Sequence, residues 1–112
     1  MAPATTETPA VTPTASGADP AHGSSLNEQG YALIQEGEYE AAVPVLEEAV
    51  ASYPEGSEDL EYGYALFNLG HALRLSGRPE EAIPILEKRL AIPDQTSTVE
   101  GELEAARAEA GG

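Results

Sequence analysis

Apolar side chains recur at three- and four-residue spacings from residue 25 onward, and this is the periodicity of amphipathic helices. A glycine or a proline interrupts each apolar run, so the pattern separates into five helices. The predicted helices cover residues 25–36, 38–52, 58–76, 79–91 and 97–110. The third has the broadest apolar face, whereas the fifth has a weak apolar edge and a glutamate-rich outer face. The chain is therefore predicted to be all-α.

Three serines stand where helix N-caps are expected. Ser25 and Ser97 are each followed three residues later by glutamate, which is the spacing of a capping box, and Ser57 precedes the third apolar run. Residues 1–24 have a different composition, with four prolines, six alanines and five threonines. Such a segment buries too little apolar surface to offset the entropy of ordering it. We therefore expect a disordered tail or linker over residues 1–24 and a helical domain over residues 25–112.

The helical domain contains an internal repeat. The segment 37–47, GEYEAAVPVLE, aligns with the segment 77–87, GRPEEAIPILE, at an offset of 40 residues. The same offset places Leu33 on Leu73 and Leu26 on Leu66, so the repeated unit is a whole helix-turn-helix. Self-similarity at this length is typical of an α-solenoid.

The repeated positions resemble those of the tetratricopeptide repeat. They comprise a small residue in the first helix, a turn glycine, a small contact residue and a closing proline: Gly30 and Gly70, Gly37 and Gly77, Ala42 and Ala82, and Pro54. The resemblance covers roughly residues 25–94. It implies an α-solenoid of two units, over about 25–56 and 57–95, with a C-terminal capping helix over about 97–110. It also implies that Gly30 and Gly70 face Ala42 and Ala82.

The sequence departs from the family pattern at several positions. Arg89 stands where a small residue is usual, and the unit is about six residues longer than the common 34. The surplus falls near residues 57–62 and predicts a third helix that is extended at its N-terminus. Pro44 and Pro84 occupy equivalent places near the start of a second helix, where we expect a mild bend and no break.

Charge narrows the classes of partner. The chain has 20 acidic and 5 basic residues, a net charge of −15 and no cysteine. Phosphate backbones would repel it, so nucleic-acid binding is not expected. No apolar run reaches the length of a membrane span, so direct membrane insertion is not expected either. All five basic residues lie at or after Arg74, so we expect a protein or peptide partner that is basic or neutral-polar.

The residues carry no arrangement expected of an enzyme. His22 and His71 are the candidate bases, and neither has a nucleophile or an acid beside it in sequence. Adjacent glutamates such as Glu47 and Glu48 diverge by about 100° on a helix and cannot share a substrate. We therefore expect a non-catalytic protein with no cofactor and no metal ion.

The resemblance implies a concave groove built from the first helix of each unit, which would bind a peptide or a partner helix. The candidate groove residues are Asn27, Tyr31, Ile34, Asn68, His71, Arg74 and Leu75. Of these, Tyr31, Ile34 and Leu75 have an alternative interpretation as core residues. Asn68, His71 and Arg74 are polar at three-residue intervals and are better candidates for ligand contact.

A second resemblance covers the segments 64–70, 77–84 and 92–98. They are similar to the C-terminal repeats of some actinobacterial membrane-anchored serine/threonine kinases. The alternative function is therefore a self-associating or regulatory segment of a larger signalling protein, because two repeats leave apolar surface that a second copy could cover. A standalone chain would be expected in the cytoplasm, whereas the C-terminal part of such a kinase would lie outside the membrane.

Overall fold

A computed structural model describes residues 20–54, 56, 57 and 59–111 of the chain. Within these residues the backbone forms five α-helices in the predicted order. The helices are α1 (Pro20–Gln35), α2 (Tyr39–Ala51), α3 (Leu60–Leu75), α4 (Pro79–Leu90) and α5 (Thr96–Gly111). The prediction of an all-α fold with five helices is confirmed for the described part of the chain.

The helices form two hairpins and a terminal helix. α1 pairs with α2 and α3 pairs with α4, while α5 packs along α4 and also touches α3. Gly37 and Gly77 close the two hairpins with φ values of 80° and 87°, which favour glycine because it has no Cβ. α1 and α3 start 40 residues apart, so the sequence offset is reproduced in the helices themselves.

The close approach within each hairpin depends on leucines of the second helix. A methyl group added at Gly30 would overlap Leu46, and one added at Gly70 would lie 2.7 Å from Leu86 Cδ2. The nearest atoms belong to Leu46 and Leu86, four residues after Ala42 and Ala82, and the predicted facing of the alanines stays a prediction. The leucine one turn further along the second helix fills the space that each glycine leaves.

α1 begins earlier than the apolar pattern predicts. The helix starts at Pro20, and Ser25 lies inside it and accepts a hydrogen bond from the Gln29 amide. The predicted boundary at residue 25 is wrong because a tertiary contact extends the helix: a Cβ at Gly23 would lie 2.7 Å from Tyr53 Cε2. Proline is also well suited to a first helical position. The tail was predicted over residues 1–24: residues 20–24 belong to α1, and residues 1–19 lie outside the described residues.

Two other caps differ from the prediction. α3 is capped by Asp59, whose side chain accepts from the Glu61 backbone N–H at 2.9 Å, and Ser57 lies two residues before this cap. The predicted start at residue 58 is therefore wrong. α5 starts at Thr96, so Ser97 lies within the helix and cannot be its N-cap. Of the surplus segment 57–62, the residues from Leu60 onward lie in α3, whose length of 16 residues equals that of α1.

The main core lies between the two hairpins and the terminal helix. Leucines of α2, α3 and α4 form its centre, and Leu103 and Ala106 of α5 close it. Pro44 and Pro84 are exposed inside α2 and α4, and both helices continue past them without a break, as predicted. The core therefore holds α1, α3 and α5 side by side, with α3 in the middle.

Candidate functional site

A groove runs across the face formed by α1, α3 and the junction between α4 and α5. It encloses a volume of about 410 Å³. The side chains that line this central groove are Asn27, Glu28, Tyr31, Tyr64, Phe67, Asn68, Arg89, Gln95 and Val99. Pockets of this size hold small ligands or a few residues of a peptide.

Three aromatic side chains form much of the groove wall. Tyr31 of α1 is 51% exposed and Tyr64 of α3 is 39% exposed, so both rings are open to a ligand. Phe67 is half-buried and stacks on the ring of His71, with 6.0 Å between the ring centroids and 9° between the planes. The groove therefore offers aromatic faces to a ligand.

Two asparagines connect the helices that border the groove. Asn68 Nδ2 on α3 donates a hydrogen bond of 2.9 Å to Asn27 Oδ1 on α1. Asn27 is buried, whereas Asn68 is half-buried. Because each amide has a second polar atom, the pair offers a further donor and a further acceptor beside the aromatic rings.

Arg89 is a buried cation in the groove lining. Its side chain is 2% exposed, and its terminal nitrogens donate to the backbone oxygens of Ile92 and Asp94 at 2.8 Å each. The Asp94 carboxylate lies 3.5 Å from one of these nitrogens. Gly63 makes room for the guanidinium, because a Cβ there would lie 3.2 Å from Arg89 Nε. Arg89 thus fixes the turn that leads into α5.

A group of ion pairs ties α3 to α5. The Glu102 carboxylate accepts from Arg74 and lies 2.9 Å from His71 Nδ1, while Arg74 also donates to Glu109 at 2.7 Å. Burial alone would raise the pKa of Glu102, but the hydrogen bonds from His71 and Arg74 outweigh it. The pKa of Glu102 therefore lies below its usual range, and the carboxylate is charged at neutral pH.

A family model for the tetratricopeptide repeat matches residues 22–95, which is well over half of the chain. The chain belongs to the tetratricopeptide repeat family. No curated protein and no solved structure matches it in the corresponding searches. Tetratricopeptide repeats generally mediate protein–protein interaction, typically with proteins or peptides, and are generally non-catalytic.

The seven candidate groove residues occupy four different places in the repeats. Asn27, Tyr31 and Asn68 line the central groove. Ile34 packs against the main core, and Leu75 is half-buried at the end of α3. The polar groups of His71 and Arg74 are bonded to α5, so the structure brings them together with Glu102 and places them outside the groove lining.

Six groove residues were not among the sequence candidates. They are Glu28, Tyr64, Phe67, Arg89, Gln95 and Val99. The repeat offset of 40 carries Asn27 onto Phe67, so the sequence contained a signal for Phe67. Gln95 and Val99 face the groove because of the α4–α5 turn, where Gln95 has a φ of 52°. The sequence pattern of a single repeat therefore could not predict that these two residues line the groove.

The described part of the chain offers little to other classes of site. There, no group of three or more His, Cys, Asp or Glu side chains could hold a metal ion. None of the described helices is long and apolar enough to cross a membrane. His71 and Glu102 do form a histidine–acid pair, but Arg74 shares the same carboxylate. We therefore interpret the pair as part of the structural contact between α3 and α5.

Proposed function

We propose that the central groove binds a peptide segment or a helix of a partner protein, with basic or neutral-polar side chains. The observation that carries the proposal is the pair of exposed tyrosines, Tyr31 and Tyr64, in a groove of about 410 Å³. Aromatic side chains are enriched at protein interfaces because they bury a large area and lose little rotamer entropy. No reaction is proposed, and the groove acts by binding alone.

The groove is built on rigid elements, which favours recognition without large rearrangement. The Asn68–Asn27 hydrogen bond joins α1 to α3, and Arg89 anchors the turn before α5. A preformed site loses less entropy on binding than a flexible one. The polar atoms beside the rings would set the orientation of a peptide backbone.

A displayed library of random 12-residue peptides tests the proposal. The full chain is immobilised, and enriched peptides are synthesised and measured by fluorescence anisotropy against the wild type and a Tyr31→Ala/Tyr64→Ala variant. Losing two aromatic contacts of about 1 kcal/mol each weakens binding by roughly 30-fold. The control is Leu60→Ala, because Leu60 is exposed on α3 but lies outside the groove lining. A failure to enrich any peptide, or equal binding to the double variant, would contradict the proposal.

Self-association is the second candidate function. Leu60 and Tyr64 are 44% and 39% exposed on the same helix, α3, and a second copy could cover them. Sedimentation velocity of the wild type and of Leu60→Ser over a hundredfold range of concentration distinguishes the two functions. A dimer that Leu60→Ser abolishes supports self-association, while a monomer throughout the range removes it. The place of the repeats in a larger signalling protein stays a prediction.

A further inference from the structure

The central groove combines aromatic faces with a carboxylate. Tyr31, Tyr64 and Phe67 come from two helices and line the same space, and Glu28 of α1 lines it with them. Glu28 is exposed, so its charge is available to a ligand. Rings and a carboxylate around one space form the arrangement that favours a cation, through attraction to the π faces and to the negative charge.

The surrounding charge favours the same ligand. No lysine or arginine occurs before Arg74, so α1, α2 and most of α3 carry none. Arg74 itself is bonded to Glu102 and Glu109. The potential at the α1 and α3 side of the groove is therefore set by carboxylates, which attract a positively charged group.

Arg89 is the cation that argues for the opposite ligand, an anion. Its two terminal nitrogens are already bonded to the backbone oxygens of Ile92 and Asp94, with the Asp94 carboxylate 3.5 Å away. Among the described residues no atom accepts from Nε, but that nitrogen is buried and packs toward Gly63. The positive charge of Arg89 is thus largely compensated inside the chain.

We infer that the central groove receives a lysine or arginine side chain of the bound peptide, stacked between the aromatic rings and paired with Glu28. This inference rests on the proposed function and names the chemistry of its anchor residue. The cation enters from the open side of the groove, where Tyr31 and Tyr64 are exposed. The asparagine amides lie beside it and can bond to the flanking peptide backbone.

The test uses five-residue probes of the form Ac-Ala-Ala-Xaa-Ala-Ala-NH2, with arginine, lysine, norleucine or glutamate at the central position. Backbone amide resonances of the full chain are followed during each titration, and those of Glu28, Tyr31 and Tyr64 report on the groove. Arginine and lysine probes are expected to bind about tenfold more tightly than the norleucine probe, which has the same aliphatic reach without the charge. This ratio corresponds to about 1.4 kcal/mol.

Variants separate the two parts of the proposed anchor. Tyr64→Leu keeps an apolar surface and removes one ring, so it weakens the arginine probe by about 2- to 5-fold and changes the norleucine probe little. Glu28→Gln weakens the arginine probe most at low salt, because screening already reduces the charge effect at high salt. Glu47→Gln is the matched control, since Glu47 is an exposed acid on α2 outside the groove lining.

Three results would overturn the inference. They are a norleucine probe that binds as tightly as the arginine probe, a glutamate probe that binds most tightly, and the absence of shifts at the groove amides with every probe. A preference for glutamate would assign an anion site at Arg89. Peptides enriched from the random library without lysine or arginine would also overturn it while leaving the proposed function in place. The loss of all enrichment would remove both.

Discussion

For the replacement of Arg89 by alanine, the structure and the repeat pattern predict opposite changes in the stability of the fold. The residue 40 positions earlier is Ala49, and a small residue is usual at this place in the family. Substitutions toward a family consensus commonly stabilise a protein by about 0.5–2 kcal/mol. The structure predicts the opposite sign for Arg89→Ala, because the guanidinium holds the turn between α4 and α5.

The magnitude follows from the bonds that would be lost. Arg89 donates to the backbone oxygens of Ile92 and Asp94 at 2.8 Å each, and a hydrogen bond from a charged donor is worth about 1.5–3 kcal/mol. The cost of burying the guanidinium offsets part of this gain. Removing the side chain also leaves a cavity beside Gly63. A net loss of about 3 kcal/mol lowers the Tm of a domain this size by roughly 12–24 °C.

Urea unfolding at pH 7, followed by circular dichroism at 222 nm, measures the change. Arg107→Ala is the matched control, because Arg107 pairs with Glu87 across 3.1 Å while both side chains remain half exposed. Such a pair contributes at most about 1 kcal/mol. Arg89→Met keeps the apolar stem, so it loses less than Arg89→Ala but more than the control. An Arg89→Ala protein as stable as the wild type, or more stable, would refute the reasoning.

Four further substitutions test three separate features of the fold. Gly30→Ala forces a methyl group against Leu46 and costs about 1–3 kcal/mol in urea unfolding, whereas Gly101→Ala, with open space around it, stabilises by up to about 1 kcal/mol. The pKa of Glu102 is lower in the folded chain than in the unfolded chain, so the ionised carboxylate stabilises the fold at pH values above its unfolded-state pKa. This stabilisation is lost as the pH falls through the pKa of the folded chain. Urea midpoints between pH 7 and 3 should therefore fall more steeply for the wild type than for Glu102→Gln, and parallel curves would count against the ion pairs. Pro44→Ala removes an exposed proline from α2 and should raise the unfolding free energy by about 1–3 kcal/mol, and a decrease would mean that the bend itself is needed.

The helices and their order could be predicted because each lies in a periodic segment bounded by glycine or proline, although the period is weak in α5. The start of α1 could not, because the first turns of the helix lie against Tyr53, which follows α2: a Cβ at Gly23 would be 2.7 Å from Tyr53 Cε2. A cap predicted from local spacing competes with such contacts and loses when the contact is tighter.

Whether a polar side chain lines the groove depends on the residues to which it is hydrogen-bonded. Tyr31 and Asn27 line the groove because α1 and α3 lie as the repeat pattern requires. His71 and Arg74 have the spacing of ligand contacts, yet they bond to Glu102 of α5. The position of α5 is not part of the two-unit repeat, so sequence periodicity could not reveal this pairing.

Three of the arginines make contacts within the chain that hold α5 and the turn before it. Arg74 and Arg107 join α5 to α3 and α4. Arg89 bonds to the turn that precedes α5. The apolar edge of α5 is small, with Val99 and Leu103 as its largest buried side chains, and the ion pairs add contacts from α5 to α3 and α4. These three arginines are bonded within the chain, and α1 and α2 contain no lysine or arginine of their own. The negative side of the repeats therefore keeps a charge that a cationic partner can neutralise, and binding such a partner would add to the stability of the fold.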